Sequence, residues 1–271
     1  MYSKNVAISK LFGIAYTCLL TTIPPQFMGQ GRTLVIGDIH SGLQALKQLL
    51  EKAKTSPEDE IIFLGDYVDG WSEAAETIDF LMELDRSHHC RFIRGNHDEL
   101  CKAWLLEQGH NPTWLMHGGE MTRQSYDKRS QDDWKRHIAF FERLENYYLD
   151  AKNRLFLHAG FTNLKGVEFE YFPELFYWDR TLWELAKALP QDLSIENVDY
   201  PKRLLNYSEI YIGHTPLSKT GQIVPQQRAN VWNMDTGAAF KGSLSMMDID
   251  TKEVWQSDPV QSFYPEERGR N

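Results

Sequence analysis

The sequence has 271 residues, of which 42% are hydrophobic and 13% aromatic, and its formal net charge at pH 7 is -9. This length and composition suit one globular domain with a large core. The negative charge provides no wide positive surface for a polyanion, so we do not expect a nucleic acid partner. The cysteines Cys18, Cys90 and Cys101 are too few for a disulfide framework or a thiolate metal cluster, and we expect them in the core of a cytoplasmic protein.

Residues 1–30 form an N-terminal extension of ambiguous character. The run from Leu11 to Ile23 is apolar apart from three threonines, but it is too short for a stable membrane span. Residues 24–27 lack the small-x-small cleavage pattern of a signal peptide. An export signal and an extension upstream of a start at Met28 both stay open, and in either case we expect the domain to comprise residues 31–271.

Short β-rich runs recur along the chain, with helical patterns between the early ones, which is typical of an α/β protein. The predicted strands are Thr33 to Ile36, Ile61 to Leu64, Arg91 to Ile93, Leu155 to Leu157 and Ile210 to Ile212. Two later runs, Val231 to Asp235 and Leu244 to Ile249, are interpreted as strands of a second sheet. Leucine and isoleucine at helical spacing predict helices with core-facing sides over Ser41 to Lys54 and Glu73 to Asp85.

Each of the first five predicted strands is followed by a loop that carries Asp, His or Asn. The loops are Gly37-Asp38-Ile39-His40, Gly65-Asp66-Tyr67-Val68-Asp69, Gly95-Asn96-His97-Asp98, His158-Ala159-Gly160 and Gly213-His214-Thr215. In open α/β sheets the carboxyl ends of strands are where ligands bind. We therefore expect these loops to converge on one ligand site.

The residue types in these loops suit metal ions. Asp38 and His40 are two residues apart beyond a strand, so both side chains can point to one side and chelate one ion. Asp66 can supply one oxygen to each of two ions. Carboxylate, imidazole and amide ligands together suit manganese, iron or zinc. Two such cations clamp phosphate oxygens and acidify a shared water, which supplies a hydroxide nucleophile.

As an ordered set, the five loops resemble the signature of the calcineurin-like metallophosphoesterases. The chain is similar to their phosphoprotein phosphatase branch, especially the bacterial and phage-type enzymes and the symmetrical diadenosine tetraphosphate hydrolases. The similarity runs from about Gly31 to Ile249, and Pro216 after Thr215 favours this branch over phosphodiesterases that end in Gly-His-x-His. The resemblance implies a two-sheet β-sandwich flanked by helices, with a dinuclear metal site at the strand-end loops.

The resemblance also implies a role for each motif residue. The first metal ion would be held by Asp38, His40 and Asp66, and the second by Asp66, Asn96, His158 and His214. Manganese is favoured, with iron or zinc as alternatives. His97 would be the general acid that protonates the leaving oxygen, with Asp69 as its orienting carboxylate. The alternative for His97 is a residue that only caps the following helix.

The chain departs from the resemblance after Asp69. Protein phosphatases usually have Arg-Gly there, and that arginine binds the substrate phosphate, whereas this chain has Gly70-Trp71-Ser72. Trp178-Asp179-Arg180 resembles the Trp-x-Arg of the phage-type enzymes, so Arg180 is the expected phosphate ligand. The alternative is a surface arginine that starts a helix over Thr181 to Leu189.

Several further residues receive an interpretation. Asp235 is interpreted as a carboxylate that steadies a ligand histidine, with a plain turn as the alternative, and Arg94 as structural. His117 borders the site without an assigned role, and the core or surface histidines are His88, His89, His110 and His137. An aromatic-rich segment could form either a substrate wall or a satellite core, and comprises Phe169, Tyr171, Phe172, Phe176, Tyr177, Trp178 and Trp183.

The leading hypothesis is a metal-dependent phosphatase that hydrolyses phosphate monoesters by attack of a metal-bridging hydroxide. Its expected partners are proteins phosphorylated on Ser, Thr or Tyr, or small phosphate esters. One alternative is a dinucleoside polyphosphate hydrolase such as a diadenosine tetraphosphatase. Another is a non-catalytic metal-binding scaffold, which only the missing loop arginine supports. The sequence leaves the oligomeric state and the physiological substrate open.

Overall fold

The polar loops are carried by two five-stranded β-sheets in a computed structural model that describes residues 31–107 and 111–270. The strands are β1 (Thr33–Ile36), β2 (Glu60–Phe63), β3 (His89–Phe92), β4 (Tyr147–Leu149), β5 (Arg154–Leu157), β6 (Glu209–Ile212), β7 (Gln226–Arg228), β8 (Val231–Asn233), β9 (Ser243–Asp248) and β10 (Val254–Pro259). The predictions for residues 1–30, Cys18 among them, and for His110 lie outside the described residues.

The first sheet has the strand order β10-β9-β1-β2-β3. Its three N-terminal strands are parallel, with Thr33 opposite Glu60 and Glu60 opposite His89. The strand expected over Leu244 to Ile249 exists as β9, but it pairs antiparallel with β1 in this sheet. The expectation that it belongs to the second sheet is therefore wrong. Its apolar pattern identifies a strand but carries no information on which neighbour it joins.

The second sheet has the order β4-β5-β6-β8-β7, in which β5, β6 and β8 are parallel. Val231 lies opposite Ile210, so the strand expected over Val231 to Asp235 does belong here. The strands β4, β7 and β10 were not expected. In β7 the sequence Gln-Gln-Arg at a sheet edge lacks the apolar residues that would predict a strand.

Helices flank the sheets. They are α1 (Leu43–Ala53), α2 (Ala74–Leu84), α3 (Asn96–Glu107), α4 (Pro112–Trp114), α5 (Glu120–Tyr126), α6 (Gln131–Glu142), α7 (Leu175–Trp178) and α8 (Thr181–Ala188). The leucines expected on the inner face of α1 are buried, as are Ile78, Leu81 and Leu84 of α2. None of the helices within the described residues is long and apolar enough to cross a membrane.

The two sheets share a buried apolar layer. Val35, Ile62 and Met247 of the first sheet belong to one cluster with Phe156 and Tyr211 of the second, whose rings are stacked at 4.9 Å. This layer fixes one sheet against the other, so the loops at their edges hold defined positions. The fold is thus the expected two-sheet sandwich flanked by helices.

Candidate metal and phosphate site

The strand-end loops converge on Asp66. Its Oδ2 lies 3.5 Å from His40 Nε2 and 3.4 Å from His158 Nε2. His40 Nε2 is also 3.8 Å from Asp38 Oδ2, and His158 Nε2 is 3.2 Å from Asn96 Oδ1. All five side chains are buried. Strands far apart in sequence therefore bring these polar groups into one small volume.

The side chains form two potential metal sites that share Asp66. In one group Asp38, His40 and Asp66 place ligand atoms within 4.8 Å of one another, and in the other Asp66, His158 and His214 do so. Within the described residues, the buried His214 Nε2 has no hydrogen-bond partner. A buried ring nitrogen without a partner is costly, and a metal ion would satisfy it. The donor set therefore fits two divalent cations.

Backbone carbonyls orient two of the candidate ligand histidines. His40 Nδ1 lies 2.8 Å from Asp69 O, and His158 Nδ1 lies 2.7 Å from Leu64 O. A carbonyl can only accept, so each Nδ1 carries a hydrogen, and Nε2 is the ring atom that would bind a metal. The sequence could not identify these contacts because any residue can supply a carbonyl.

The carboxyl and imidazole groups of the cluster shift one another's pKa values. Burial opposes a charge on His158, but the Asp66 and Asp38 carboxylates raise its pKa to about 10. Burial and the neighbouring carboxyl of Asp235 raise the pKa of Asp38, while burial lowers the pKa of His214. A bound cation would relieve both the repulsion between carboxylates and the cost of burying them.

Close packing of carboxylates against the backbone explains two motif glycines. A Cβ on Gly95 would lie 2.2 Å from Asp66 Oδ1, and one on Gly213 would lie 2.0 Å from Asp38 Oδ1. The non-glycine residues Asp66 and His214 adopt positive φ angles of 54° and 65°. Such conformations are strained and persist where the surrounding structure enforces them, often at functional sites.

His97 and Asp69 form a separate buried pair beside the metal ligands. His97 Nδ1 lies 2.6 Å from Asp69 Oδ2, and the backbone N–H of His97 donates to Asp66 Oδ1 at 2.9 Å. Trp114 Nε1 donates to the same Asp69 oxygen, and Thr122 Oγ1 donates to the other, both at 2.6 Å. Trp114 and Thr122 were not identified from the sequence, since they lie 45 and 53 residues from Asp69.

A cleft of about 360 Å³ opens beside this cluster. Asp66, Asn96, His97 and His214 line it. Aromatic and cationic side chains also line it, among them Trp114, which is buried, Trp178, Arg180, Lys219, Phe240 and Arg270. His117 also lines the cleft, where the sequence analysis placed it. Cationic side chains and aromatic rings thus lie together next to the candidate metal ligands.

Arg180 lines the cleft beside His214. Its Nη1 donates to His214 O at 3.3 Å and to Thr215 Oγ1 at 3.2 Å, so its guanidinium lies against the loop of a metal ligand. It also precedes α8, so the alternative of a helix-starting residue is compatible with the same position. Its phosphate-binding role stays a prediction.

The remaining interpretations have mixed outcomes. Asp235 is buried, but no bond to a ligand histidine is among its contacts: Oδ1 accepts from Gly237 N, and Oδ2 has no partner within residues 31–107 and 111–270. Arg94 pairs with Glu99 and donates to Leu144 O, which fits a structural role. His137 is buried. His88 and Cys90 are half-buried, His89 is exposed and Cys101 is buried.

Some residues of the aromatic-rich segment lie in a satellite core, and one lies where a substrate wall would be. Phe176, Tyr177 and Trp183 are buried in a core cluster under the second sheet. Trp178 is 47% exposed and lines the cleft, with its ring 6.3 Å from that of His214. The other members, Phe169, Tyr171 and Phe172, are exposed. Only Trp178 therefore stands where a substrate wall would be.

Comparison with known proteins decides the family. Residues 31–236 match the sequence profile described as calcineurin-like phosphoesterase. The chain belongs to this family. It is therefore a metallophosphoesterase, a hydrolase of phosphate esters whose family uses divalent metal ions.

Curated relatives carry two kinds of name. The chain is 26% identical to a symmetrical bis(5'-nucleosyl)-tetraphosphatase of Marinomonas sp., covering 82% of this chain and 71% of the relative. It is 26% identical to the asymmetrical bis(5'-nucleosyl)-tetraphosphatase PrpE of Oceanobacillus iheyensis, covering 86% and 94%. It is 24% identical to serine/threonine-protein phosphatase 1 of Salmonella typhimurium, covering 79% and 90%.

Solved structures share the fold at low identity. A protein serine/threonine phosphatase from Saccharomyces cerevisiae superposes with a TM-score of 0.58 at 14% identity, covering 85% of this chain and 81% of that one. A cold-active protein-tyrosine phosphatase of a psychrophilic Shewanella species gives 0.55 at 14% identity with the same coverage. These similarities support the sandwich fold and leave the substrate undecided.

Proposed function

We propose that this metallophosphoesterase hydrolyses dinucleoside polyphosphates. The observation that carries the proposal is the composition of the cleft, where Arg180, Lys219 and Arg270 stand beside Trp114, Trp178 and Phe240. A phosphate monoester offers one small dianion, whereas a polyphosphate chain offers several charged groups for several cations. Flat exposed rings such as Trp178 suit a nucleobase. The proposal reverses the order of the two candidate substrates, because the sequence-based expectation placed phosphoproteins first.

In this proposal the buried cluster holds two divalent cations. Asp38, His40 and Asp66 would bind one, and Asp66, Asn96, His158 and His214 the other. Bound cations supply charge neutralisation for the phosphate oxygens and a nucleophilic water at neutral pH. Manganese suits the mixed oxygen and nitrogen donors, with iron or zinc as alternatives.

His97 and Asp69 act on the leaving group. As the new phosphorus–oxygen bond to water forms, the bond to the leaving oxygen breaks, and that oxygen needs a proton if it is a strong base. His97 would donate this proton from Nε2, because its Nδ1 is engaged by Asp69 Oδ2 at 2.6 Å. Asp69 keeps the ring oriented.

The names of the curated relatives support the proposed substrate class. Symmetrical and asymmetrical bis(5'-nucleosyl)-tetraphosphatases are among the curated proteins that resemble this chain over most of its length. Because the two names differ in which phosphate is attacked, they leave the position of cleavage open for this chain.

A substrate panel tests the proposal. Protein loaded with manganese is assayed with diadenosine tetraphosphate, phosphoserine and phosphotyrosine peptides, and p-nitrophenyl phosphate, and kcat/KM is compared. We expect the highest value for diadenosine tetraphosphate. Chromatography separates two ADP from ATP plus AMP and so identifies the attacked phosphate. An Asp66→Asn sample controls for contaminating phosphatases, and a preference for the peptides would overturn the substrate assignment.

A pair of cleft variants sharpens the test. Trp178→Ala should raise KM for diadenosine tetraphosphate and leave a phosphoserine peptide unaffected, because only the dinucleotide has a base to stack. Tyr171→Ala is the matched control, since Tyr171 belongs to the same aromatic-rich segment but is 82% exposed and does not line the cleft.

The second candidate is the phosphoprotein phosphatase of the sequence analysis. It is favoured by the exposed aromatic side chains Phe169, Tyr171 and Phe172, which suit contact with a protein surface. The similarity to the Salmonella phosphatase points the same way. The peptides in the panel decide between the two candidates.

A further inference from the structure

The segment from Tyr264 to Arg270 is docked on the loop that follows Asp69. The ring of Tyr264 stacks on Trp71 with centroids 5.3 Å apart. Ser72 donates to the Glu267 carboxylate twice, from its backbone N at 3.0 Å and from Oγ at 2.6 Å. The backbone N–H of Arg270 donates to Ala239 O at 2.8 Å. These contacts fix the end of the segment beside the cleft.

A glycine allows the segment to pass close to Trp71. Gly269 has a φ of 57°, and a Cβ there would lie 2.6 Å from Ala239 O and 2.8 Å from the Trp71 ring. Any other residue would therefore meet both a strained backbone and a collision with rigid groups. The residue that follows this glycine is Arg270, whose side chain turns into the cleft.

The side chain of Arg270 reaches the metal ligands over two further glycines. Its Cγ would lie 3.2 Å from a Cβ on Gly118 and 3.8 Å from one on Gly70. Its Nη1 lies 3.4 Å from His40 Nε2, and its guanidinium lies over the Phe240 ring at 5.7 Å. The aliphatic stem is thus packed and half-buried, while the charged end stands at the edge of the metal cluster.

The guanidinium of Arg270 makes no close ion pair with a carboxylate in the part of the chain that the structure describes. Among residues 31–107 and 111–270, no carboxylate oxygen lies within 4.0 Å of its guanidinium. A guanidinium has five N–H donors, so one that no carboxylate engages keeps donors for an anion in the cleft.

We infer that Arg270 binds a non-bridging oxygen of the phosphoryl group under attack, from the side of Asp38 and His40. This inference rests on the proposed hydrolysis of phosphate compounds at this site. Arg180 lies at the other metal group, beside His214, so the two guanidiniums would hold the phosphate from two sides. A planar guanidinium offers the forked hydrogen bonds that suit phosphate oxygens.

The loop after Asp69 cannot supply this guanidinium itself. Gly70 has a φ of 129°, and a Cβ there would lie 3.1 Å from His40 O. An arginine at position 70 would therefore be strained, and its stem would compete with that of Arg270 for the same space. The sequence Gly70-Trp71-Ser72 instead accepts the docked segment, which delivers an arginine from elsewhere in the chain.

Binding of orthophosphate tests the inference without relying on turnover. Manganese-loaded protein is titrated with phosphate by calorimetry. Arg270→Ala should weaken phosphate binding by about 10- to 100-fold, the usual effect of losing a charge-assisted hydrogen bond. Manganese affinity should not fall, because Arg270 supplies no metal ligand and its positive charge opposes a bound cation. Arg270→Lys should recover part of the loss.

Two further variants separate a direct contact from an indirect one. Arg268→Ala is the matched control: it removes the same charge from the same segment, but Arg268 is exposed and does not line the cleft, so phosphate affinity should not change. Gly269→Ala keeps the charge of Arg270 and displaces it, so affinity should fall. Faster amide hydrogen exchange over residues 264–270 would verify that displacement.

The outcomes distinguish this inference from the proposed substrate. Unchanged phosphate affinity in Arg270→Ala overturns the inference, even if diadenosine tetraphosphate is the best substrate. An equal loss in Arg268→Ala overturns it as well, since a general field effect would then account for the result. A loss confined to the Arg270 and Gly269 variants supports it, even if the substrate panel favours phosphopeptides.

Discussion

His97 Nδ1 lies 2.6 Å from Asp69 Oδ2, and Trp114 Nε1 donates to that same oxygen at 2.6 Å. The other oxygen of Asp69 accepts from Thr122 Oγ1. The carboxylate is therefore held on both sides, and the imidazole it orients keeps Nε2 free to face the cleft. This arrangement suits a proton donor whose position must not vary during the reaction.

The first expectation concerns proton donation. His97→Asn should lower kcat about 10²- to 10⁴-fold on an alkyl phosphate, the range of general acid catalysis, and less on p-nitrophenyl phosphate, whose leaving oxygen is already a weak base. The measurement is the ratio of the two losses, with metal content determined in the same samples. Equal losses on both substrates would show that His97 is not the acid.

The second expectation concerns the residue that holds Asp69. Trp114→Phe keeps an aromatic ring in the cleft but removes the donor to Asp69, so kcat on the alkyl phosphate should fall by roughly 10-fold, as expected when a hydrogen bond to a charged group is lost. The KM for a dinucleotide should change little. Trp104→Phe is the control, because Trp104 packs 5.5 Å from Trp114 in the same aromatic cluster. A larger effect on KM than on kcat would mean that Trp114 acts by stacking.

The polar loops at the strand ends could be predicted because the residue types that mark them are local in the sequence. Each lies where a short apolar run ends in a glycine or a polar residue, and the structure has strands there, β1 over the expected Thr33–Ile36 and β2 as Glu60–Phe63. A buried strand requires apolar residues and these loops carry polar ones, so both features can be identified from the residue types. The convergence of the loops follows from the parallel order of the strands.

The parts that could not be predicted depend on contacts between distant residues. Trp114 and Arg270 carry no local pattern that points to the site, and each becomes meaningful only once the chain has folded around Asp69. The sheet to which β9 belongs has the same character, since its pairing with β1 depends on the path of the whole chain. The periodicity of apolar residues indicates which face of a strand or helix is buried, but it does not indicate which other strand or helix packs against that face.

The third expectation concerns the carboxylate shared by the two metal groups. Asp66→Asn should lower the manganese content of dialysed protein at both sites and abolish turnover, because one negative charge is lost from both ligand sets. Asp59→Asn is the control: Asp59 is equally buried but pairs with Arg32, so it should affect stability and leave manganese content unchanged. Full turnover in metal-saturated Asp66→Asn would exclude the shared-ligand assignment.

The fourth expectation concerns Arg180. Arg180→Ala should weaken binding of phosphate and of substrate together, by about 1.5–3 kcal/mol for a charge-assisted hydrogen bond. Because its Nη1 also donates to His214 O, manganese affinity must be measured in the same variant. If phosphate binding is unchanged, the guanidinium does not hold the phosphate. If manganese is lost as well, Arg180 acts by supporting the metal loop.

The last expectation concerns stability against pH and uses a histidine outside the metal cluster. His137 is fully buried, with Nδ1 2.8 Å from Tyr126 Oη and Nε2 3.0 Å from Asp79 Oδ1. Burial lowers its pKa below 6.5, with Asp79 acting against the shift and Arg136 and Arg129 adding to it. The unfolded chain then binds more protons than the folded one at pH values below about 6.5.

The contribution of His137 to the free energy of unfolding should therefore be fully present above pH 6.5. It should be lost as the pH falls below that value, because protonation favours the unfolded chain. His137→Gln keeps a polar side chain that cannot titrate, so its free energy of unfolding should fall less steeply than that of the parent between pH 7 and pH 5. The measurement is urea unfolding of both proteins at matched manganese concentrations. The titration of the histidines in the metal cluster then contributes equally to both curves. A steeper fall in the variant would mean that the ion pair with Asp79 outweighs burial and that the folded-state pKa is raised.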